Sequence, residues 1–107
     1  MISNAHRDEL FRKWDLVFHL EQVYKHFYND IVAINYHAYE KNGSVEEFIV
    51  LTWDSGGRCF ANNNINSLSA TARNVARMLD GGVYENIDLY NDIMKEENGW
   101  TEIRAQD

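Results

Sequence analysis

Apolar residues recur at steps of three and four along residues 4–29, the spacing that aligns them on one face of an α-helix. Glu21 is the one polar residue in a stripe that otherwise comprises Leu10, Phe11, Trp14, Val17, Phe18, Tyr24, Phe27 and Tyr28. Ser3 or Asn4 can cap this helix, because their side-chain oxygens accept hydrogen bonds from the free N–H groups of the first turn. The pattern predicts one long amphipathic helix whose apolar face packs on a neighbouring element.

The spacing changes to alternation after residue 30, which is typical of strands. Residues 31–40 are rich in β-branched and aromatic side chains, and Asn35 and His37 alternate with apolar neighbours. The Asn-Gly pair within residues 41–44 is the strongest local signal for a hairpin, because both residues tolerate positive φ. Residues 45–53 then predict a second strand, in which Glu47 shares a face with apolar side chains.

A second turn and a third strand complete the predicted sheet. Residues 54–57, Asp-Ser-Gly-Gly, have the composition of a tight turn, and residues 58–62 follow as a short strand. These segments, joined by short turns, predict a three-stranded antiparallel meander.

The rest of the chain predicts two helices. The first is capped by Asn66 or Ser67 and runs to about Asp80, where two glycines stop it. The second is acidic and spans roughly residues 86–97. Trp100–Arg104 fits either a tail or a short extra strand, and the sequence leaves that choice open.

This order of elements predicts an α+β fold of two layers: a long N-terminal helix, a three-stranded antiparallel sheet and two C-terminal helices (α-β-β-β-α-α). A chain of 107 residues with 45% hydrophobic residues is long enough to bury one core, so we expect a single domain over residues 1–107. The lone Cys59 cannot form an intramolecular disulfide, which favours a reducing cytoplasm. No apolar run reaches the length of a membrane span, so we expect no membrane partner.

The residues that could carry catalysis or bind a metal are poorly placed for either. Cys59 lies within a predicted strand, and His37 is the only histidine on a neighbouring segment. His19 and His26 are seven residues apart, whereas zinc on a helix favours a four-residue step. The glycines of residues 54–58 precede a strand and lack a following Gly-Lys-Ser/Thr. We therefore expect a protein that is not an enzyme and has neither a metal nor a cofactor.

Negative charge is concentrated in the last quarter of the chain. Residues 80–107 contain eight acidic and two basic residues, whereas residues 1–79 contain nine acidic and eight basic residues. A net charge of −7 and a pI near 4.9 argue against direct nucleic-acid binding, which needs a basic surface. An acidic surface on a small protein instead suits a basic cleft on another protein. A solvated helix face that only maintains solubility is the alternative interpretation.

The chain resembles a family of small Listeria-prophage anti-CRISPR proteins, which inhibit the single-protein RNA-guided DNA endonuclease of type II systems. The resemblance covers about residues 31–97 and includes the order of elements, the acidic glycine turn at residues 54–57 and the Asn-rich exit at residues 62–67. Its most literal match is Tyr90-Asn91-Asp92, followed by Ile93-Met94, beside the family's Tyr-Asn-Asp-Met. The first helix is longer here, and Arg58 stands where the family has an acidic residue.

The resemblance implies an inhibitor that replaces DNA with carboxylates where the enzyme reads the short duplex motif beside its target. It places the partner-binding residues at Asp54, Glu85, Asp88, Asn91 and Asp92. The local concentration of negative charge adds two further candidates, Glu96 and Glu97.

We therefore expect a phage-type anti-defence protein, an anti-CRISPR inhibitor that acts in the cytoplasm of the bacterial host. Its acidic, DNA-mimicking face would block the nucleic-acid-binding cleft of a bacterial effector nuclease. An antitoxin or immunity protein that neutralises a basic nuclease toxin would carry the same charge signature, so that alternative stays open. The apolar stripe of the first helix also leaves open whether the protein is a monomer or a homodimer through that helix.

Overall fold

The described part of the chain contains three α-helices, one 3₁₀ helix and four strands. The computed structural model describes residues 2–81 and 87–104. The elements are α1 (Asn4–Phe27), β1 (Ile31–Lys41), β2 (Ser44–Trp53), β3 (Arg58–Asn62), α2 (Leu68–Gly81), α3 (Ile87–Met94), a 3₁₀ helix (Glu96–Asn98) and β4 (Thr101–Ile103). The expected α+β class with a long N-terminal helix, an antiparallel sheet and C-terminal helices is confirmed.

The sheet has four strands rather than three, in the order β3-β2-β1-β4, and every neighbouring pair is antiparallel. The prediction of three strands is wrong because Trp100–Arg104 contains the fourth strand. In β4, Thr101 pairs with Glu40 and Ile103 pairs with Ala38. Three residues are too few to show an alternating pattern, so only the tertiary pairing reveals this strand.

The turn between β1 and β2 has the geometry that its sequence predicts. Lys41 pairs with Ser44, and the two residues between them, Asn42 and Gly43, have φ values of 53° and 84°. Positive φ at both central positions is characteristic of the type I′ turn, whose backbone twist matches that of the flanking strands. The turn thereby fixes the register of the two longest strands.

The caps of the first two helices also match the sequence. Ser3 Oγ accepts a hydrogen bond from the backbone N–H of His6 at 3.1 Å, which caps α1. Ser67 Oγ accepts one from the N–H of Ala70 at 3.0 Å at the start of α2. The acidic helix is shorter than predicted, because α3 ends at Met94 and the next residues form the 3₁₀ helix.

One face of the sheet packs against α1 and α2. Leu10 and Val17 of α1 and Val75 and Met78 of α2 are fully or almost fully buried. They form one core with inward-facing residues of the strands, among them Ile34, Tyr36, Ala38, Ile49, Leu51, Cys59, Ala61 and Ile103. This cluster is the main core of the protein.

The opposite face of the sheet packs against α3. Tyr39 and Phe48, whose side chains alternate with those of the main core, form a second cluster with Ile93. Leu89, Tyr90 and Trp100 pack around it. The sheet therefore lies between two layers of helices, and the prediction of two layers is wrong because both faces of β1 and β2 carry large apolar residues.

Candidate partner-binding site

Helix α3 is held on the sheet by its aromatic and aliphatic face. The Tyr90 ring lies 4.8 Å from the ring of Phe60 and 5.3 Å from that of Phe48, measured between centroids. Ile93, one turn further along, is 3% exposed. Aromatic pairs at these distances add to the energy of burial and define orientation. This packing determines which side of α3 faces solvent.

The residues on the outer side of α3 are those that the sequence singled out. Asp88, Asn91 and Asp92 are exposed, and so are Glu96 and Glu97 on the 3₁₀ helix. We call these five residues the acidic face. They follow one another within ten residues of chain, on elements that the second cluster anchors to the sheet.

The connection between α3 and the 3₁₀ helix is built by local hydrogen bonds. Asn98 Nδ2 donates to the backbone oxygen of Asp92 at 2.7 Å, and the N–H of Gly99 donates to the oxygen of Glu96 at 3.1 Å. Gly99 has φ 74°, a left-handed conformation that glycine adopts without a steric penalty. These bonds place Glu96 and Glu97 next to α3 before the chain enters β4.

One cation lies within the acidic face. Lys95 Nζ is 3.4 Å from Asp92 Oδ1, and both side chains are more than half exposed. Exposed ion pairs contribute little to stability, so this lysine is free to leave Asp92 when another cation approaches. The face therefore remains net negative, with Lys95 as a local competitor for one carboxylate.

Asp54 is exposed in the turn between β2 and β3. Its backbone N–H donates to the oxygen of Asp30 at 2.8 Å, which places it where β1 begins. Thr101 pairs with Glu40 near the other end of β1. Ten strand residues separate these two ends, so Asp54 lies about 33 Å from the start of β4 at a rise of about 3.3 Å per residue. Helix α3 itself packs on Phe60, in the strand that follows the turn of Asp54. Glu85 lies outside the described residues.

Sequence reasoning missed a buried cluster of charged and polar groups between α1 and the sheet. Lys13 Nζ lies 2.7 Å from Glu47 Oε1, and the Tyr36 hydroxyl donates to the same oxygen at 2.5 Å. Burial and the neighbouring Glu47 raise the pKa of Tyr36. The sequence did carry a signal, because Glu47 interrupts an apolar face of β2. The cluster satisfies its own charges and joins α1 to the sheet.

A second unpredicted contact links β1 to β4. His37 Nδ1 lies 3.7 Å from Glu102 Oε1, and Arg104 approaches the other oxygen of Glu102 at 3.2 Å. Burial lowers the pKa of His37, whereas the charge and hydrogen bond of Glu102 raise it and Arg58 lowers it further. No sequence signal for this contact was available without β4.

The described residues hold no group of three or more histidine, cysteine or acidic side chains arranged to bind a metal. Cys59, which is 2% exposed, packs in the main core. Over residues 2–81 and 87–104, no helix is both long and apolar enough to cross a membrane.

Comparison with known proteins gives no relative: no family model, no curated protein and no solved structure matches this chain.

Proposed function

We propose that this protein binds a cationic surface of another protein through its acidic face, and that its partner is a bacterial effector nuclease. In this proposal the protein is an anti-CRISPR inhibitor that occupies a nucleic-acid-binding cleft and keeps DNA out of it. The observation that supports the proposal is the outward projection of Asp88, Asp92, Glu96 and Glu97 from elements anchored by Tyr90 and its neighbours.

The chemistry of this face suits a site that normally holds phosphates. Carboxylates accept charge-assisted hydrogen bonds from arginine and lysine, and arginine binds a carboxylate with two parallel bonds as it does a phosphate. Asn91, between two acids, offers a neutral donor and acceptor in the same row. Because the anchored helix is already ordered, little conformational entropy is lost on binding.

The proposal predicts that inhibition depends on the acidic face and not on total charge. Asp88→Lys/Asp92→Lys should abolish inhibition of DNA cleavage by a type II RNA-guided endonuclease. The variant should also capture less of that endonuclease from a bacterial lysate at low salt. The matched control is Asp15→Lys/Asp80→Lys, which makes the same change of charge at exposed positions of α1 and α2. Circular dichroism checks that both variants are folded.

Equal inhibition by the two double variants would refute a role for the acidic face. Capture of a basic nuclease toxin, with no effect on the RNA-guided enzyme, would instead identify an immunity protein.

A further inference from the structure

One edge of the sheet is only partly covered in the described structure. Strand β1 runs over Ile31–Lys41, but β4 pairs only with its residues 38–40. On that side, residues 31–37 have no strand partner among the described residues. An uncovered strand presents backbone N–H and C=O groups that can pair with another extended chain.

A side chain of α1 occupies one of these backbone positions. Glu21 Oε2 accepts a hydrogen bond from the N–H of Ile34 at 2.9 Å, where the carbonyl oxygen of an adjacent strand would otherwise lie. The other oxygen of Glu21 accepts from Gln22 at 3.2 Å. This explains why Glu21 interrupts the apolar stripe of α1. A carboxylate held in this way can be exchanged for a backbone carbonyl.

A groove of about 260 Å³ runs between α1 and this edge. The side formed by α1 is mainly apolar and includes Trp14, Val17 and Phe18, and Phe18 is 63% exposed. The other side carries His37 and Glu102. The two sides therefore differ in chemistry, with an apolar surface facing a polar and acidic one.

Side chains of a strand alternate between its two faces, so a strand added to β1 would meet both sides of the groove. Every second residue of the added strand would lie against Trp14 and Phe18, on the face of the sheet that holds α1. The residues between them would lie on the opposite face, beside Glu102, Asn35 and His37. The groove therefore selects an extended segment in which apolar and charged residues alternate.

We propose that this groove binds an extended segment of a partner protein, in which apolar residues alternate with lysine or arginine, as an added strand on β1. Its backbone pairs with the edge of β1 that the described residues leave open and displaces Glu21 from Ile34, while its lysine or arginine residues lie on the opposite face of the sheet, beside Glu102. Arg104, which lies 3.2 Å from Glu102, leaves this carboxylate when a lysine or arginine of the partner segment takes its place.

Charge argues against a second copy of this chain as the occupant. A symmetric pairing of two β1 edges would bring the Glu21 and Glu102 carboxylates of both copies together, in a chain whose net charge is −7. A second copy would therefore add electrostatic repulsion between carboxylates, whereas a basic segment would neutralise them. The inference does not rest on the acidic face, because the groove involves none of its residues.

The test uses the full chain and a synthetic probe, an acetylated nine-residue peptide of alternating valine and lysine. We expect NMR titration to move the backbone amides of Val32, Ile34 and Tyr36 first. Two comparison peptides define the mode of binding: one with glutamate in place of lysine, and one with N-methyl groups on every residue that faces β1. The glutamate peptide lacks the positive charge, and the N-methylated peptide lacks the backbone donors. Each should therefore bind at least about tenfold more weakly than the lysine peptide.

Variants separate the groove from other acidic surfaces. Glu102→Gln should weaken binding of the lysine peptide about tenfold, because it removes the carboxylate that the lysines face while keeping a side chain of the same shape. Asp80→Asn removes one charge from an exposed position of α2 and should leave peptide affinity unchanged.

Three results would overturn the inference: equal affinity for the N-methylated peptide, chemical shift changes centred on α3, or self-association of the protein through β1. Asp88→Lys/Asp92→Lys should not alter peptide binding at the groove. Loss of inhibition in that variant therefore reports on the acidic face alone.

Discussion

Lys13 Nζ lies 2.7 Å from Glu47 Oε1, with 5% and 6% of the two side chains exposed. The bond crosses from α1 to the centre of β2, and the Tyr36 hydroxyl of β1 donates to the same carboxylate oxygen. The N–H of Glu47 donates to Asn64 Oδ1 at 2.7 Å, which adds the chain after β3. Through its carboxylate and its backbone N–H, Glu47 thus connects four parts of the fold.

Removing Lys13 should therefore destabilise the protein strongly. Lys13→Met leaves the Glu47 carboxylate buried without a cation, and we expect a loss of about 3–5 kcal/mol in the free energy of unfolding. Lys13→Met/Glu47→Gln should recover part of that loss, because no buried charge remains. Urea denaturation of the four members of this double-mutant cycle measures the coupling. Additive effects of the two substitutions would show that the ion pair is not energetically coupled.

Stability should fall at alkaline pH because of Tyr36. Burial, followed by the charge and hydrogen bond of Glu47, raises the pKa of this phenol above its ordinary value of 10.0. Above that pH the unfolded chain releases the phenolic proton while the folded chain retains it, so the folded state loses stability as the pH rises. Tyr36→Phe should be less stable at neutral pH and less sensitive between pH 9 and 11. A thermal denaturation series with an unchanged slope for Tyr36→Phe would contradict this origin.

Stability should also fall at mildly acidic pH because of His37. Burial lowers the pKa of its imidazole below the ordinary value of 6.5, with Glu102 opposing and Arg58 reinforcing that direction. Below about pH 6.5 the unfolded chain takes up the proton before the folded chain does, and the folded state loses stability until the lowered pKa is passed. His37→Gln should remove this share of the pH dependence, whereas His19→Gln at an exposed position should not. Melting temperatures between pH 7.5 and 5.5 provide the comparison.

The sequence predicted the helices and the first three strands because each has its own periodicity or turn chemistry. It left Trp100–Arg104 undecided between a tail and a short extra strand, because the three residues of β4 carry no period. It missed the third layer because apolar residues on both faces of β1 and β2 were assigned to one core. Glu21 and Glu47 each interrupt an apolar pattern, and the sequence alone gave neither residue a role. In the structure each carboxylate accepts a hydrogen bond from another element.

For the candidate partner-binding residues, the sequence predicts exposure but not their relative positions. The exposure of Asp88, Asn91 and Asp92 follows from helical periodicity, since the inward positions of α3 are apolar. Distances between elements are not encoded locally, so the sequence does not show how Asp54, in the turn before β3, lies relative to α3, which packs on Phe60 of that strand. Whether any of these residues contacts a partner stays a prediction.

The Asn-Gly turn should depend on Gly43 more than the second turn depends on Gly57. Gly43 has φ 84°, which costs an L-residue about 1 kcal/mol, although a Cβ there would meet no atom within 4 Å. At Gly57 a Cβ would make only ordinary contacts, the nearest with Ser55 Oγ at 3.6 Å. We expect Gly43→Ala to lower the free energy of unfolding by about 1 kcal/mol and Gly57→Ala to change it little. Similar losses at both positions would show that backbone conformation at Gly43 is not the cause.

Lys95 provides a test of the acidic face that strengthens binding rather than weakening it. Its ammonium lies 3.4 Å from Asp92 Oδ1 and competes there with any incoming cation. Lys95→Gln should therefore raise the association rate with a basic partner severalfold at low ionic strength, and the gain should disappear near 1 M salt, where charges are screened beyond about 3 Å. Lys25→Gln, which removes one charge from α1, is the control for net charge. Stopped-flow or surface-based kinetics with the captured partner measures both variants. An equal increase for Lys25→Gln would assign the effect to total charge, and no increase for Lys95→Gln would remove Asp92 from the interface.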